Sequence, residues 1–240
     1  MKTKFLGFLF FAALQVSFQA SASAPVLLFN GTGASASDVT ALQSILTSMS
    51  VGFDTATSNQ INSMTEAIMR SYKVIIWPGG NSIYMGNSLT RAATALVHKV
   101  VVTDGVSYLG FCAGAFMGER STLYNVFNLA STWFNFYQQS AEEMVSIYFS
   151  DGTQRSLVYW DGPELSGFGS VIGKYPSGAP AIAEARVGYG FVLLSGVHPE
   201  APADWRTGFS IADTDGVASD IAYTKTLIGA ALTKTMLPHY

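Results

Sequence analysis

The sequence predicts an α/β protein with a mostly parallel central sheet, covered by helices on both faces, that continues into an antiparallel section. Two patterns support this prediction. In the first half of the chain, short apolar runs alternate with segments of helix length, and in the second half strand-length runs follow one another through glycine-containing turns. Alternating strands and helices are typical of parallel sheets, whereas consecutive strands joined by tight turns favour antiparallel pairing.

Four apolar runs predict the parallel strands, because strands that are buried on both faces carry few polar residues. These strands are predicted at residues 25–29, 51–56, 74–77 and 108–111. Three helices are predicted between them. The first begins at a cap on Ser35 or Ser37 and places on one face Val39, Leu42, Ile45, Leu46 and Met49. The other two are predicted at residues 61–70 and 89–102.

The second half carries the antiparallel section and a closing helix. Residues 123–137 are crowded with aromatic side chains and show no clean periodicity. Strands are predicted at residues 144–149, 156–160, 171–175, 181–186 and 191–194, followed by a helix over 219–237. Since no repeat or long linker interrupts this pattern, we expect residues 23–240 to form a single domain.

Residues 1–22 have the pattern of a secretory signal peptide. Two lysines precede an apolar stretch over residues 5–14, and Ala20-Ser21-Ala22 supplies the small residues of a cleavage site, with 22–24 as the second choice. The apolar stretch is about half as long as a membrane span, which disfavours the alternative of a retained anchor. We therefore expect a secreted or periplasmic protein without membrane attachment after cleavage.

The composition excludes several classes of partner. The formal net charge is −3, and the 13 basic residues are not clustered. Nucleic acids and anionic membranes require a basic patch, so neither is expected as a partner. Aromatic residues reach 13% while charged residues make up only 12%, which predicts a large apolar interior. The composition specifies no oligomeric state.

The one cysteine of the chain, Cys112, lies in the segment Gly110-Phe111-Cys112-Ala113-Gly114. Glycines two residues before and after it are typical of a nucleophile elbow, because larger side chains would collide at such a sharp strand-to-helix turn. The alternative is a buried cysteine that acts as a small hydrophobic residue. An unpaired thiol in an oxidising compartment is a liability unless it is buried or used, which favours the nucleophile.

Three glycine-containing loops follow parallel strands and are therefore predicted at one edge of the sheet. They are Asn30-Gly31, Pro78-Gly79-Gly80 and the turn at Cys112. Open α/β sheets bind their ligands at this edge, outside the carboxyl ends of the strands. We expect a binding site there for a small-molecule or peptide-like substrate.

His198 is the candidate base for Cys112. It follows the strand predicted at 191–194, and Glu200 stands two residues later, where a carboxylate could orient the imidazole ring. His98 lies inside a predicted helix and His239 is the penultimate residue, so we expect these two histidines on the surface and in the tail.

Acyl transfer also requires hydrogen-bond donors for the developing oxyanion. The N–H group of Ala113, just after the cysteine, is one candidate, and that of Gly79 or Gly80 is the other. Neither a metal site nor a cofactor is expected, because the sequence lacks His-x-x-His pairs, acidic loops with metal-ligand spacing and glycine-rich phosphate fingerprints.

In order and spacing, these residues resemble the class I glutamine amidotransferase-like superfamily. The segments Trp77-Pro78-Gly79-Gly80, Tyr108 to Gly114 and Gly196-Val197-His198-Pro199-Glu200 are most similar to the biotin-protein ligase N-terminal domain group. The resemblance covers essentially all of residues 23–240 and implies a flavodoxin-like three-layer sandwich. It further implies a Cys-His-Glu triad, with Cys112 as nucleophile, His198 as base and Glu200 as its orienting partner. Gly80 and Ala113 would line the oxyanion site.

Two departures from the family limit what the resemblance implies. Glutaminase domains carry a substrate-holding glutamine four residues after the nucleophile, where this chain has Phe116. The chain also has no synthetase domain to receive ammonia and no ligase catalytic region to use biotin. We therefore expect neither a true glutaminase nor a biotin ligase.

Three functional hypotheses follow from the sequence. The first is a secreted cysteine hydrolase that cleaves an amide or small peptide-like substrate through an acyl-thioenzyme. The second is a non-catalytic ligand-binding or interaction module that retains the fold, which the aromatic segment 123–137 and Phe116 favour. The third is redox chemistry at Cys112, limited to a sulfenic acid because no second cysteine could resolve it.

Overall fold

A computed structural model describes residues 24–209 and 212–240, so the predicted signal peptide at residues 1–22 lies outside the described residues. The strands in these ranges are β1 (Val26–Phe29), β2 (Phe53–Ala56), β3 (Val74–Trp77), β4 (Ser107–Phe111), β5 (Glu142–Phe149), β6 (Gln154–Trp160), β7 (Ser170–Lys174), β8 (Pro180–Val187) and β9 (Gly190–Ser195). The helices are α1 (Ala36–Ser48), α2 (Ser58–Ser63), α3 (Glu66–Met69), α4 (Ser82–Ser88), α5 (Arg91–Val102), α6 (Ala113–Gly118) and α7 (Gly216–Thr233), with a short 3₁₀ turn at Ala203–Arg206.

All of these strands belong to one nine-stranded sheet in the order β2-β1-β3-β4-β9-β8-β7-β5-β6. The first five strands in this order are parallel, and β8, β7, β5 and β6 continue the sheet by antiparallel pairing. Strand β9 joins the two sections, because it pairs in parallel with β4 and antiparallel with β8. The predicted mixed sheet, parallel at one end and antiparallel at the other, is confirmed.

Helices cover both faces of the parallel section. Leu27 of β1 packs in one apolar cluster with Val97 of α5, whereas its neighbour Leu28 packs on the opposite face with Leu42 of α1 and Leu227 of α7. Successive strand residues point to opposite faces, so each parallel strand must be apolar along its whole length to be buried twice. The result is the three-layer sandwich that the sequence predicts.

Two details of the sequence prediction were wrong. The single helix predicted at 61–70 is two short helices, α2 and α3, because Met64 is extended and Thr65 caps α3 by accepting a hydrogen bond from the Ile68 N–H. Helix α4 was not predicted. It is only seven residues long and begins where the Asn81 side chain accepts from the Tyr84 N–H, too short for a clear helical period.

Within residues 24–209 and 212–240, no helix combines the length and apolar character that crossing a bilayer requires.

Candidate active site

Cys112 occupies a strained turn between β4 and α6. Its φ of 45° and ψ of −104° lie outside the ordinary regions for a residue with a side chain. The Cys112 N–H donates to the Ser195 carbonyl at 2.7 Å, which ties the turn to the end of β9. A side chain at Gly110 would collide with the Gly114 carbonyl, and one at Gly114 with the Trp77 carbonyl. The flanking glycines therefore permit the close approach of backbone that this turn needs.

His198 and Glu200 lie at the same sheet edge, just beyond β9. The His198 backbone N–H donates to the Val158 carbonyl of β6 at 2.8 Å, so the ring is held between the two sections of the sheet. Its Nδ1 atom lies 2.7 Å from Glu200 Oε1. The two side chains are 2% and 0% exposed. Because both are buried, their hydrogen bond fixes the orientation of the His198 ring.

The charge state of His198 is set by its neighbours. Burial by itself would lower the pKa of the ring, but Cys112 and then Glu200 favour the charged form and raise the pKa well above its usual value. The Nδ1 atom, which donates to Glu200, leaves Nε2 for exchange of a proton with the cysteine. This division of the ring nitrogens is what a general base needs.

Asp38 is a site residue that the sequence analysis missed. It lies in the first turn of α1, is fully buried, and accepts a hydrogen bond from the Gly79 N–H through Oδ2. Burial, and then the charge of Glu200, raises the pKa of Asp38 well above its usual range. One signal in the sequence was available. Asp38 lies in the first turn of the helix that follows the loop after β1, at the edge where the other site residues were predicted.

The carboxyl groups of Asp38 and Glu200 form a pair close to the His198 ring. They are placed to hydrogen-bond to each other, and among the described residues neither Asp38 Oδ1 nor Glu200 Oε2 has another partner. Two buried carboxylates would repel, whereas one proton shared between them gives both oxygens a partner. The pair therefore carries one negative charge rather than two.

Asp38, His198 and Glu200 are also the residues that could hold a metal ion. One ligand atom from each lies within 4.8 Å of the others, and two carboxylates with one imidazole suit a divalent transition metal. Hydrogen bonds already engage Asp38 Oδ2, His198 Nδ1 and Glu200 Oε1. The arrangement is thus complete as a hydrogen-bonded network in which the carboxyl pair supports the histidine.

Two backbone N–H groups meet beside Cys112. Gly80 and Ala113 line the same cavity as the cysteine, and within the described ranges no hydrogen bond engages the N–H of either residue. The Gly79 N–H donates instead to Asp38, so of the two glycine donors considered, Gly80 is the one whose N–H stays available to a ligand. Gly80 has a φ of 138°, a backbone conformation that glycine adopts without strain.

The cavity at this edge has a volume of about 550 Å³ and includes Cys112 and His198 in its wall. Much of the remaining wall is aromatic, contributed by Phe116, Phe136, Trp160 and Trp205. A cavity of this size is typical of small-molecule sites. Its aromatic character comes partly from the segment after α6, which forms no helix or strand before β5.

The other histidines lie away from this cavity. Nδ1 of His98 lies 2.9 Å from the Phe127 carbonyl oxygen, and this residue of α5 is half-buried rather than fully on the surface. Nδ1 of His239 lies 3.0 Å from the Leu237 carbonyl oxygen in the exposed C-terminal tail. Neither ring lines the cavity.

Comparison with known proteins agrees with the observed fold. Residues 24–132 match the model of a family described as "Biotin-protein ligase, N terminal". The structure is similar to that of a glutamine amidotransferase from Methylobacillus flagellatus, with a TM-score of 0.55, 13% identity and coverage of 92% of this chain and 98% of the other. The chain has a class I glutamine amidotransferase-like fold.

A second neighbour with this amidotransferase-like fold comes from Thermoplasma acidophilum, where it is a candidate component of GMP synthase. Its TM-score is 0.57, with 11% identity over 88% of this chain and 96% of the other. No curated protein sequence matches this chain significantly. The family match includes Gly79, Gly80 and Cys112 but ends before His198 and Glu200, so these two rest on sequence spacing and on the geometry described above.

Phe116 marks where this chain departs from glutaminases of the same fold. The ring stacks on Phe134 with 4.3 Å between ring centroids and contacts Phe136 at 4.7 Å. Phe116 also lines the cavity beside Cys112. An apolar ring of the cavity wall therefore stands at the position where the resemblance to glutaminases implies a glutamine.

Proposed function

We propose that this protein is a cysteine-dependent amidase that cleaves a small amide or peptide-like substrate through an acyl-thioenzyme. One observation carries the proposal. The thiol of Cys112 and the ring of His198 line one cavity, and the ring is held from behind by Glu200 at 2.7 Å. A nucleophile, a base and an orienting carboxylate in this sequence of contacts are the parts that acyl transfer requires.

Before the first step, Nε2 of His198 already holds the proton of the Cys112 thiol, and in that step Sγ attacks the carbonyl carbon of the amide as a thiolate. A C–S bond forms, and the electron pair of the C=O bond moves to the oxygen. The N–H groups of Gly80 and Ala113 donate to this oxyanion, which stabilises the tetrahedral intermediate. The neighbouring imidazolium is stabilised by Glu200.

In the second step, the oxyanion re-forms the carbonyl and the C–N bond breaks. His198 gives its proton to the departing nitrogen, so an amine or ammonia leaves and a thioester remains on Cys112. Water then attacks the thioester while His198 takes a proton from it. The C–S bond breaks, the acid product leaves, and the proton returns to the sulfur.

Asp38 acts as a positioning residue in this scheme. By sharing a proton with Glu200, it fills the second oxygen of that carboxylate and anchors the Gly79 backbone next to the oxyanion loop. The histidine therefore faces one negative charge in a fixed place. Preorganised charge of this kind is what lowers the free energy of the imidazolium state.

Thiol labelling and hydrolysis with matched variants test the proposal. Because Cys112 is the only cysteine, iodoacetamide labelling reports on it alone, and we expect labelling faster than that of free cysteine at neutral pH. His198→Gln should slow both labelling and hydrolysis of an amide panel, whereas the tail variant His239→Gln should change neither. Labelling no faster than free cysteine, together with no hydrolysis, would reject the proposal.

A ligand-binding module is the second candidate, and the orientation of the thiol favours it. Cys112 Sγ lies 3.3 Å from the Trp160 carbonyl oxygen, to which the thiol donates, and a thiol held in this bond is less available to a base. Specific binding that is undiminished in Cys112→Ala, without turnover by the wild-type protein, would favour the binding module over the amidase.

We further propose that the protein works outside the cytoplasm, as a secreted or periplasmic protein. The basic start, apolar stretch and small-residue cleavage site of residues 1–22 support this proposal. Mass determination of the protein purified from its own cell envelope or culture medium tests it. We expect a mature N-terminus at Ser23, and a retained Met1 would contradict the proposal.

A further inference from the structure

We propose that the cavity beside Cys112 takes an amide whose acyl part carries a cationic nitrogen next to the carbonyl group, as an α-amino amide does. This inference rests on the proposed amidase function for which bond is cleaved, but the recognition of the cation is independent of it. What carries the inference is the juxtaposition of an aromatic wall with the carboxylate of Asp161 at the same cavity as the thiol.

The aromatic wall consists of two ring pairs. Phe116 and Phe136 have centroids 4.7 Å apart with planes tilted by 57°, and Trp160 and Trp205 have centroids 5.9 Å apart with planes at 69°. Rings set at such angles present both faces and edges to the space they enclose. Aromatic faces attract cations through the ring quadrupole, most strongly for tryptophan.

Asp161 supplies a negative charge that is fixed in place. Its backbone has a φ of 47°, a strained conformation for a residue other than glycine, and its Oδ1 atom accepts from the Ala141 N–H at 2.9 Å. The residue is half-buried and lines the cavity. A strained backbone conformation persists only where surrounding contacts stabilise it. At Asp161 these contacts keep a carboxylate in the wall of the cavity.

Among the described residues of the wall, the one cationic side chain is the His198 ring, which is already paired with Glu200. Among the described residues that line the cavity there is no lysine or arginine. An anionic acyl group would therefore meet Asp161 without a counter-ion, while a cationic group would meet both the carboxylate and the aromatic rings. The charge of the wall therefore disfavours anionic substrates as well as favouring cationic ones.

The position of Asp161 fixes where the cationic nitrogen lies. Cys112 Sγ contacts the carbonyl oxygen of Trp160, and Asp161 is the next residue, so its Cα lies only about 3.8 Å from that of Trp160. The carboxylate that would pair with the cation thus belongs to the residue next in the chain to the one that contacts the attacking sulfur. This geometry suits an amino group on the α-carbon rather than one at the end of a long chain.

Binding to the inactive variant Cys112→Ala separates recognition from chemistry. The probes are L-phenylalaninamide, which is cationic, and 3-phenylpropanamide, which has the same ring and amide without the ammonium group. Calorimetry should show the cationic amide binding about five- to tenfold more tightly. Adding Asp161→Asn should remove most of this preference, while Asp104→Asn, at an exposed carboxylate outside the cavity, should retain it.

A second variant guards against local misfolding at Asp161. Trp160→Leu removes one ring of the wall at a side chain that is 45% exposed, and it should reduce the preference for the cationic amide about two- to fivefold. Equal affinity for the two probes, or a preference that survives in both variants, would overturn the proposed ligand class.

The outcomes also distinguish this inference from the proposed amidase function. If wild-type protein hydrolyses both amides with the same kcat/KM, the amidase function stands and the ligand class fails. If the cationic amide binds preferentially and through Asp161 but is never hydrolysed, the ligand class stands and the amidase function fails for this site.

Discussion

Nδ1 of His198 lies 2.7 Å from Oε1 of Glu200, and behind this pair the carboxyl of Asp38 is linked to the Gly79 backbone. This edge of the sheet thus holds the thiol and the ring in one cavity, with two carboxyl groups next to the ring. Asp38 and Glu200 are both buried. Because water does not screen their charges there, a substitution at either residue should have a large electrostatic effect on His198.

Glu200→Gln should lower amide hydrolysis about 100-fold. Glutamine keeps the size of the side chain and an oxygen that accepts from His198 Nδ1, but it removes the charge that stabilises the imidazolium. Steady-state kinetics with the amide panel measure the effect. A variant that retains full kcat would show that the charge of Glu200 has no part in the reaction.

Asp38→Asn and Asp38→Ala should differ sharply. A protonated Asp38 and an asparagine both accept from Gly79 and donate toward Glu200, so Asp38→Asn should retain most activity at pH 7. Asp38→Ala leaves the Gly79 N–H and a Glu200 oxygen buried without partners, which costs about 1–3 kcal/mol each. Chemical denaturation and kinetics measure both variants. Equal losses of stability and activity in the two variants would contradict a proton shared between Asp38 and Glu200.

Cys112→Ala should lower the pKa of His198. The cysteine is the larger of the two influences that raise the pKa of this buried ring, so its removal leaves burial opposed only by Glu200. Because the folded-state pKa is raised, the charged ring stabilises the fold below the unfolded value of about 6.5, and this contribution is lost as the pH rises through the folded value. NMR titration of the His198 ring in both proteins measures the shift, and an unchanged pKa would contradict it.

Glu119→Gln should stabilise the protein at alkaline pH. Burial raises the pKa of Glu119 to about 10, although the nearby Asn135 backbone acts in the opposite direction. The folded state thus binds a proton that the unfolded state releases above about pH 4.5, so the free energy of unfolding falls as the pH rises. At pH 8 the variant should be more stable by about 1–3 kcal/mol.

Denaturation at pH 5 and pH 8 measures this difference, which should shrink toward pH 5. Glu142→Gln, at an exposed carboxyl on β5, is the matched control and should show no such dependence. An identical pH dependence in wild type and Glu119→Gln would mean that the buried carboxyl does not titrate in this way.

Gly79→Ala should reduce activity strongly. A methyl group at this position would lie 2.5 Å from Cε1 of His198 and 2.6 Å from Oδ2 of Asp38, so the ring or the loop must move. Gly229→Ala is the control, because that position in α7 has no atom within 4 Å of the added methyl and alanine favours a helix by about 0.5–1 kcal/mol. Kinetics and thermal unfolding compare the two. A fully active Gly79→Ala would show that the ring tolerates displacement.

The sequence by itself determined the parallel section and the turn at Cys112. Apolar runs such as Val74-Ile75-Ile76-Trp77 are local signals, since a strand buried on both faces has to be apolar throughout. The glycines around Cys112 are local signals as well, because the sharp turn excludes side chains at those positions. The edge that His198 and Glu200 share with Cys112 followed from strand order alone.

Only the tertiary structure decided the protonation and the walls of the site. Asp38 is far from Glu200 in the chain, and no local pattern says that packing of α1 brings the two carboxyl groups together and removes water from both. The aromatic wall has the same origin, because Phe136 lies in a segment without clean periodicity and Trp160 at the end of β6, and only the fold brings the two rings to one cavity. Burial and long-range contacts depend on the whole fold, and they set both the charge on the carboxyl pair and the residues that line the cavity.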